Sequence, residues 1–284
     1  MITLKEALNQ AGRRIKEAGG VTSALDAAVL LGFVAACDRA GLYRDGSRLL
    51  TPEEQNRLDA LVARRVTGEP VAYLTGCKEF MGLEFAVTPA VLIPRPETEL
   101  LVEKALTLLD GKENLVAEVG TGSGAIAVSL AVNLPRTVIY ATDISARALR
   151  VAQVNAEKHG VTQRICWRQG DLLAALAEDE LTGRLDLIAA NLPYITTQEL
   201  AALPPEVRRY EPVTALDGGA DGLALYRRLI PQAKRLLKPQ GYLLLEIGCN
   251  QRQGVAALLT PPDWRLNIEQ DLTGRDRLAV ATKA

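Results

Sequence analysis

The chain has 284 residues, 48% of them hydrophobic and 24% charged, the balance of a globular protein with a sizeable core and unlike that of a disordered one. Its 33 Lys and Arg against 34 Asp and Glu leave a net charge of −1, so no global field draws it to polyanions or anionic membrane surfaces; the length allows about two domains. The apolar run over residues 27–37 stops at Asp38-Arg39, well short of the roughly 20 residues that a membrane span needs.

The opening residues, Met1-Ile2-Thr3-Leu4-Lys5-Glu6, lack the charged-then-apolar layout of an export signal. Cys37, Cys77, Cys166 and Cys249 are dispersed, with no CxxC pair and no histidine nearby, so neither a metal site nor a disulfide framework is expected. Free thiols in a reducing cytoplasm are the economical reading.

Thr3 and Glu6 form a capping-box pair ahead of Leu4, Ala7, Leu8, Ala11, Ile15 and Ala18, whose helical spacing runs up to Gly19-Gly20. A second helix starts near Ser23 and carries the apolar run. Thr51-Pro52-Glu53-Glu54 opens another, and Leu58, Leu61 and Val62 line one of its faces up to Gly68. Residues 1–72 thus read as a small helical bundle. Between Tyr73 and Pro96, Phe80 and Phe85 flank Met81-Gly82 as in a short hairpin, while Pro89, Pro94 and Pro96 prevent a helix. Residues 73–96 read as a hairpin linker.

From residue 97 helices and strands alternate. The expected elements are helix 97–109, strand 115–119, helix 124–133, strand 137–142, helix 145–159, strand 164–168, a short helix after Asp171 and strand 185–190. Helix 222–237, strand 241–247, a helix near 251–259 and closing strands near 264–270 and 276–282 follow. This alternation gives an α/β fold, a doubly wound sheet over residues 97–284 with ligands at the carboxyl ends of its strands.

The strand ending at Val119 runs into Gly120-Thr121-Gly122-Ser123-Gly124 and an apolar helix. Glycines permit a tight turn and close approach of a ligand to free N–H groups, although such a turn alone is often only a packed corner. Asp143 closes the next strand at about the 20-residue offset where a carboxylate accepts from ribose hydroxyls; its bland alternative is to cap the following helix. NAD and S-adenosylmethionine (SAM) both carry that ribose. Glu118, beside the first glycine, suits a cofactor ending in a cationic amino acid better than a pyrophosphate. After the third strand, Asp171 can accept from an adenine amine and Leu172 can wall the ring, or the two can be a helix cap and a core leucine.

The strand 185–190 is followed by Asn191-Leu192-Pro193-Tyr194. A planar NH₂ nitrogen is a poor nucleophile, because its lone pair is delocalised, until acceptors hold its N–H groups and aim the lone pair. The Asn191 side-chain oxygen and the Pro193 carbonyl are suitable acceptors, and Tyr194 can stack on the planar group. The lone histidine, His159, sits in a last helical turn, where compensation of the helix dipole outweighs catalysis.

With the glycine loop, Asp143, the NLPY tetrapeptide, LIPRPETE over 92–99 and YEPVTALDGGADGL over 210–223, the whole chain resembles the peptide chain release factor glutamine methyltransferases, the HemK or PrmC family. The resemblance implies a SAM-dependent methyltransferase domain, a Rossmann-like, mostly parallel seven-stranded sheet, behind an N-terminal domain that docks the release factor. It implies methylation of the Gln nitrogen in the Gly-Gly-Gln loop of class 1 release factors. Carried over by position, Gly120, Thr121, Gly122, Ser123, Gly124, Asp143, Asp171, Leu172 and Asn191 contact SAM. Asn191, Leu192, Pro193 and Tyr194 hold the substrate, with Asn191, Pro193 and Tyr194 catalytic. The family's tetrapeptide is usually NPPY; Leu192 at its second position points toward packing, and Leu172 stands where relatives often have Trp.

Arg95 and Glu97 shape the entrance or form a structural ion pair, and Arg208, Arg209, Tyr210, Glu211 and Pro212 form a polar loop that covers the substrate or is simply solvated. No metal, membrane or stable nucleic-acid partner is expected, and a monomer is favoured. The nearest alternative is a DNA adenine-N6 methyltransferase, which uses a similar tetrapeptide on a flipped base, but the chain lacks a basic stripe. An NAD-dependent oxidoreductase leaves the tetrapeptide without a role. So does a non-enzymatic SAM-binding protein.

Overall fold

A computed structural model describes residues 1–109 and 112–284. They form two compact units, one of residues 1–77 with 204–210, the other of 78–203 with 211–284.

In the first unit, helices α1 (Leu4–Glu17), α2 (Ser23–Ala35), α3 (Arg39–Arg44), α4 (Pro52–Val66) and α5 (Val71–Thr75) surround one apolar core. The expected capping boxes are present: the Glu6 N–H donates to Thr3 Oγ1 at 3.2 Å, and the Glu54 N–H donates to Thr51 Oγ1 at 3.1 Å. Leu4, Ala7, Ala11 and Ile15 bury the inner face of α1. Two short helices escaped the reading of periodicity. A six-residue helix such as α3 has too few turns to show an apolar stripe, and it is fixed by Asp38 accepting from the Gly41 N–H at 2.7 Å. The core also buries an ion pair, Arg65 Nε to Asp26 Oδ2 at 2.7 Å.

The hairpin β1 (Cys77–Phe80) and β2 (Leu83–Ala86), in the second unit from Lys78 onward, turns at Met81-Gly82 as expected, and its aromatic residues pack into that unit's core. Phe80 and Phe85 are fully buried in the core with helix α6 (Glu99–Leu108), and the Met81 N–H donates to Glu99 Oε1 at 2.7 Å. Strand β3 (Asn114–Val119), α7 (Ala125–Asn133), β4 (Thr137–Asp143), α8 (Ala146–Lys158), β5 (Ile165–Gln169) and β6 (Leu185–Ala190) follow close to their expected bounds. Residues 205–210, read as a loop, form helix α9 (Pro205–Tyr210), which belongs to the first unit: Glu206 pairs with Arg65 at 2.9 Å, and the Tyr210 hydroxyl lies 3.2 Å from Thr67 Oγ1. The chain closes with α10 (Ala224–Leu236), β7 (Leu237–Glu246), α11 (Arg252–Leu258), β8 (Trp264–Gln270) and β9 (Asp276–Lys283). Strand β7 starts before its expected bound because it pairs with β6 already at Leu237, across a register shift.

The seven strands lie in the order β5-β4-β3-β6-β7-β9-β8, all parallel except β9, which runs antiparallel between β7 and β8. Chain direction through the sheet reverses between β3 and β6, the switch point where ligands bind in such sheets. Register decides what meets there. Val119 pairs with Thr142 and with Ala190, and Ala190 pairs with Leu245. The residues that follow, Gly120, Asp143, Asn191 and Glu246, therefore emerge side by side from four neighbouring strands. Buried Asn155 of α8 braces this edge: its Nδ2 donates to Ser123 O at 2.8 Å and Ala86 O at 2.9 Å, and its Oδ1 accepts from the Ala86 N–H at 2.7 Å.

Candidate active site

A cavity of about 460 Å³, within the size range of small-molecule sites, opens at the switch point. Residues 120–123, Asp143, Asp171, Leu172, Asn191, Leu192 and Pro193 all line it, together with Glu118 and Thr98. Gly124 and Tyr194 stand outside the lining.

The glycine loop has the backbone that only glycine adopts without strain: Gly120, Gly122 and Gly124 have φ of +75°, +56° and +80°. A Cβ on Gly124 would come within 3.0 Å of Ala152, so that glycine brings α7 against α8. A Cβ on Gly120 would come within 3.0 Å of Leu192 Cδ2, so the leucine of the tetrapeptide fills the space beside Gly120. Leu192 is buried, as its apolar character implies. The Gly122 N–H donates to Asp143 Oδ2 at 2.9 Å and the Ser145 N–H to Oδ1 at 2.8 Å. The helix-capping alternative for Asp143 is not what the fold uses; Ser145 caps α8 through its own hydroxyl. Two N–H groups hold the Asp143 carboxylate and leave further lone pairs for a ligand. Burial pushes its carboxyl up, against the pull of those N–H groups.

Glu118, which the sequence offers to a cationic cofactor end, lies in the cavity wall. Its side chain is buried, and Oε2 accepts from Thr121 Oγ1 at 2.5 Å and from the Ala127 N–H at 3.1 Å. Desolvation pushes its carboxyl up to about 8, offset in part by those two donors. No cation pairs with it among the described residues. The guanidinium groups that line the cavity are already committed, Arg95 to Glu211 at 2.5 Å and Arg228 to Asp171. The wall therefore suits a cationic ligand and opposes a pyrophosphate. Asp171, which the sequence offers as an acceptor for adenine, has one carboxylate oxygen on Arg228. Leu172 is buried with φ of +51°, a left-handed conformation rare for leucine and held here by the fold around the site. The ion pair of Arg95 is with Glu211 and not with Glu97; Glu211 is buried and also accepts from the Ile93 N–H at 3.2 Å, while Arg95 lines the cavity.

In the tetrapeptide, Asn191 Nδ2 donates to Thr98 Oγ1 at 3.0 Å, and no described residue donates to Asn191 Oδ1 or to the Pro193 carbonyl. Two open acceptors thus stand on residues that line the cavity. The Tyr194 hydroxyl is 3.3 Å from Glu246 Oε1; desolvation and the nearby Glu246 push its phenol up, so it stays protonated and donates. The backbone is set by DGGADGL. The Gly218 N–H donates to Ile195 O at 2.7 Å, and a Cβ on Gly218 would come within 2.7 Å of Pro193 O and 2.8 Å of Tyr194 Cα. Gly222, with φ of +73°, would press a Cβ into the Tyr194 carbonyl, which accepts from Gln251 Nε2 at 2.9 Å. Thr98, Gly218, Gly222, Glu246 and Gln251 carry no signal of their own in a single sequence. Only the unusual strings PETE and DGGADG mark two of their segments.

Residues 6–76 match the family model of the PrmC N-terminal domain, and residues 111–267 match that of a methyltransferase domain. The release factor glutamine methyltransferase of Moorella thermoacetica is 47% identical over 99% of this chain and 98% of its own. That of Geobacter sulfurreducens is 42% identical over 97% and 95%. Among solved structures, the hMettl16 catalytic domain shares the fold with a TM-score of 0.57 at 18% identity, over 84% of both chains. A methyltransferase from Pyrococcus furiosus has a TM-score of 0.52 at 18% identity, over 82% of this chain and 98% of its own.

Proposed function

Because the chain belongs to the family of release factor glutamine methyltransferases, we propose that it methylates the side-chain nitrogen of the Gln in the Gly-Gly-Gln loop of class 1 release factors. When bound, SAM would supply the electrophilic methyl carbon on its sulfonium; the N–C bond forms as the S–C bond breaks, and N5-methylglutamine, S-adenosylhomocysteine and one proton, lost from the amide nitrogen, are left.

The observation that carries this reading is the pair of open acceptors, Asn191 Oδ1 and Pro193 O, on the cavity wall beside the glycine loop. They accept the two N–H bonds of a carboxamide and so aim its nitrogen lone pair at the donor. Tyr194, outside the lining with its hydroxyl on Glu246, supports the tetrapeptide from behind, and its ring would meet the amide plane only if the wall shifts on substrate binding. The cofactor end of the cavity fits on its own chemistry. Asp143 would accept from ribose hydroxyls, residues 120–123 would approach the methionine moiety, and Glu118 would face its ammonium. Asp171 and Leu172 border the adenine.

We assign release factor docking to the N-terminal unit. A helix apolar on all sides is usually buried on all sides. Here Val21 and, on α2, Leu25, Val29 and Phe33 recur every four residues and are exposed, an apolar row available to a protein partner. No helix among the described residues is long and apolar enough to cross a membrane. A cytoplasmic location follows from the substrate proposed.

The reading is tested by mass spectrometry of a class 1 release factor and of a DNA duplex, each incubated with the protein and SAM. One methyl on the Gly-Gly-Gln peptide is expected; methyladenine in DNA with an unmodified release factor would mean that the substrate is misassigned. The glycine backing of the tetrapeptide has its own consequence. Gly222→Ala should lower kcat by about tenfold or more while SAM affinity stays within about twofold, because it displaces the Tyr194 carbonyl and leaves the cofactor loop alone. Steady-state methylation alongside equilibrium SAM binding separates the two, and an unchanged kcat would show that the close approach is not needed.

A further inference from the structure

We propose that Thr98 and Glu246 are positioning residues that fix which end of the Asn191 carboxamide faces the substrate. The inference rests on the proposed role of Asn191 and assigns a cause to its orientation. A carboxamide is nearly symmetric in shape, and only hydrogen bonding distinguishes its oxygen from its nitrogen. Turned the wrong way, Asn191 would oppose the substrate's N–H bonds with N–H bonds of its own, and no productive complex would form.

The structure contains a chain of hydrogen bonds that excludes this arrangement. Glu246 ends β7 next to Asn191 in the register and is buried. A carboxylate only accepts, so the Thr98 hydroxyl donates to Glu246 Oε2 at 2.6 Å. With its one proton committed, Thr98 Oγ1 can only accept from Asn191, at 3.0 Å. Asn191 must therefore present Nδ2 to Thr98 and Oδ1 to the cavity. Tyr194 donates to the other oxygen, Oε1, so the same carboxylate holds both ends of the tetrapeptide.

The role of Thr98 is visible in what it does not do. It stands at the N-terminus of α6, where a threonine ordinarily caps the helix, yet its side chain makes no capping bond there. Its hydroxyl is used in the chain to Glu246 instead. Burial pushes the Glu246 carboxyl up and the nearby Glu97 adds to this. The Thr98 hydroxyl, Arg277 and the Tyr194 hydroxyl offset that rise in part.

Thr98→Val removes the hydroxyl at nearly constant volume, Thr98→Ser keeps it, and Glu246→Gln supplies an NH₂ that can donate to Thr98 and reverse the chain. Methylation of a release factor is measured for each, with SAM affinity and thermal unfolding as controls, alone and combined with Asn191→Ala. Thr98→Val and Glu246→Gln should each lower kcat by about tenfold to a hundredfold, with KM for the release factor and SAM affinity within about threefold. Thr98→Ser should restore kcat to within about threefold. In the Asn191→Ala background, Thr98→Val should have no further effect on kcat. An unchanged kcat in a folded Thr98→Val, or a loss in Thr98→Ser equal to that in Thr98→Val, would overturn the inference, provided that Asn191→Ala still lowered kcat by about a hundredfold or more. Full turnover by Asn191→Ala would instead overturn the reading of the site beneath it.

Discussion

Replacing Asn191 by alanine is expected to lower kcat by at least about 10²–10³-fold and to leave SAM affinity within a few-fold of wild type. The asymmetry follows from what Asn191 touches. In the proposed complex its oxygen is one of two acceptors for the substrate amide, whereas Glu118, the glycine loop, Asp143 and Leu172, which line the same cavity, are left unchanged. Without it, one N–H bond of the proposed substrate loses its partner and the lone pair is no longer aimed. The alanine also leaves the Thr98 hydroxyl with only Glu246 for a partner, a structural effect that the Asn191→Asp variant checks. Aspartate keeps the shape but cannot donate to Thr98. Quantitative methylation assays and calorimetric SAM titrations measure both quantities. Equal loss of kcat and SAM affinity in Asn191→Ala would show that the residue is chiefly a cofactor contact.

Binding of SAM at pH 7 is expected to release most of one proton, and Glu118→Gln is expected to abolish that release and weaken binding by about tenfold or more. The carboxyl of Glu118, pushed up to about 8 by burial, is largely protonated in the free protein at pH 7. An ammonium beside it favours the ionised form, so the proton leaves as the cation arrives. Affinity should therefore fall as pH drops below about 8. Calorimetry in two buffers of different ionisation enthalpy counts the protons. A count of zero for the wild type would mean that Glu118 does not face the ammonium.

The same shift affects stability. Between the ordinary carboxyl pKa of 4.5 and about 8, the folded protein holds a proton that the unfolded chain has released, so the folded state is stabilised at low pH and loses that contribution as pH rises toward 8. The loss is on the order of a few kcal/mol. Glutamine carries no charge to desolvate, and its oxygen can still accept from Thr121 and Ala127. Ligand-free Glu118→Gln should therefore unfold at the wild-type temperature or above it at pH 8.

The apolar periodicities and their punctuation were enough to place the long elements, because each of those signals acts within a few residues. The capping boxes at Thr3 and Thr51, the Met81-Gly82 turn and the helices on either side of β4 depend on neighbours in the chain. The short helices α3, α5 and α9 have too few turns for a stripe, and α9 is fixed by Arg65 and Thr67, far from it in sequence. The tetrapeptide and the glycine loop were legible since each is one contiguous string with its own chemistry. Their meeting was not, because it is a matter of strand register.

By itself the sequence determined the α/β alternation, the helical N-terminal segment, the candidate residues for SAM and an amide, and, through whole-chain similarity, the family. Tertiary structure alone decided the orientations. It set Thr98 and Glu246 against Asn191, pressed Gly218 and Gly222 onto the Pro193–Tyr194 backbone, and paired Arg228 with Asp171. It also left Glu118 buried, with no cation paired to it among the described residues. The physical reason is that hydrogen-bond polarity and desolvation depend on groups brought together from strands and loops up to 148 positions apart, as Thr98 and Glu246 are. No local pattern in the chain records those encounters.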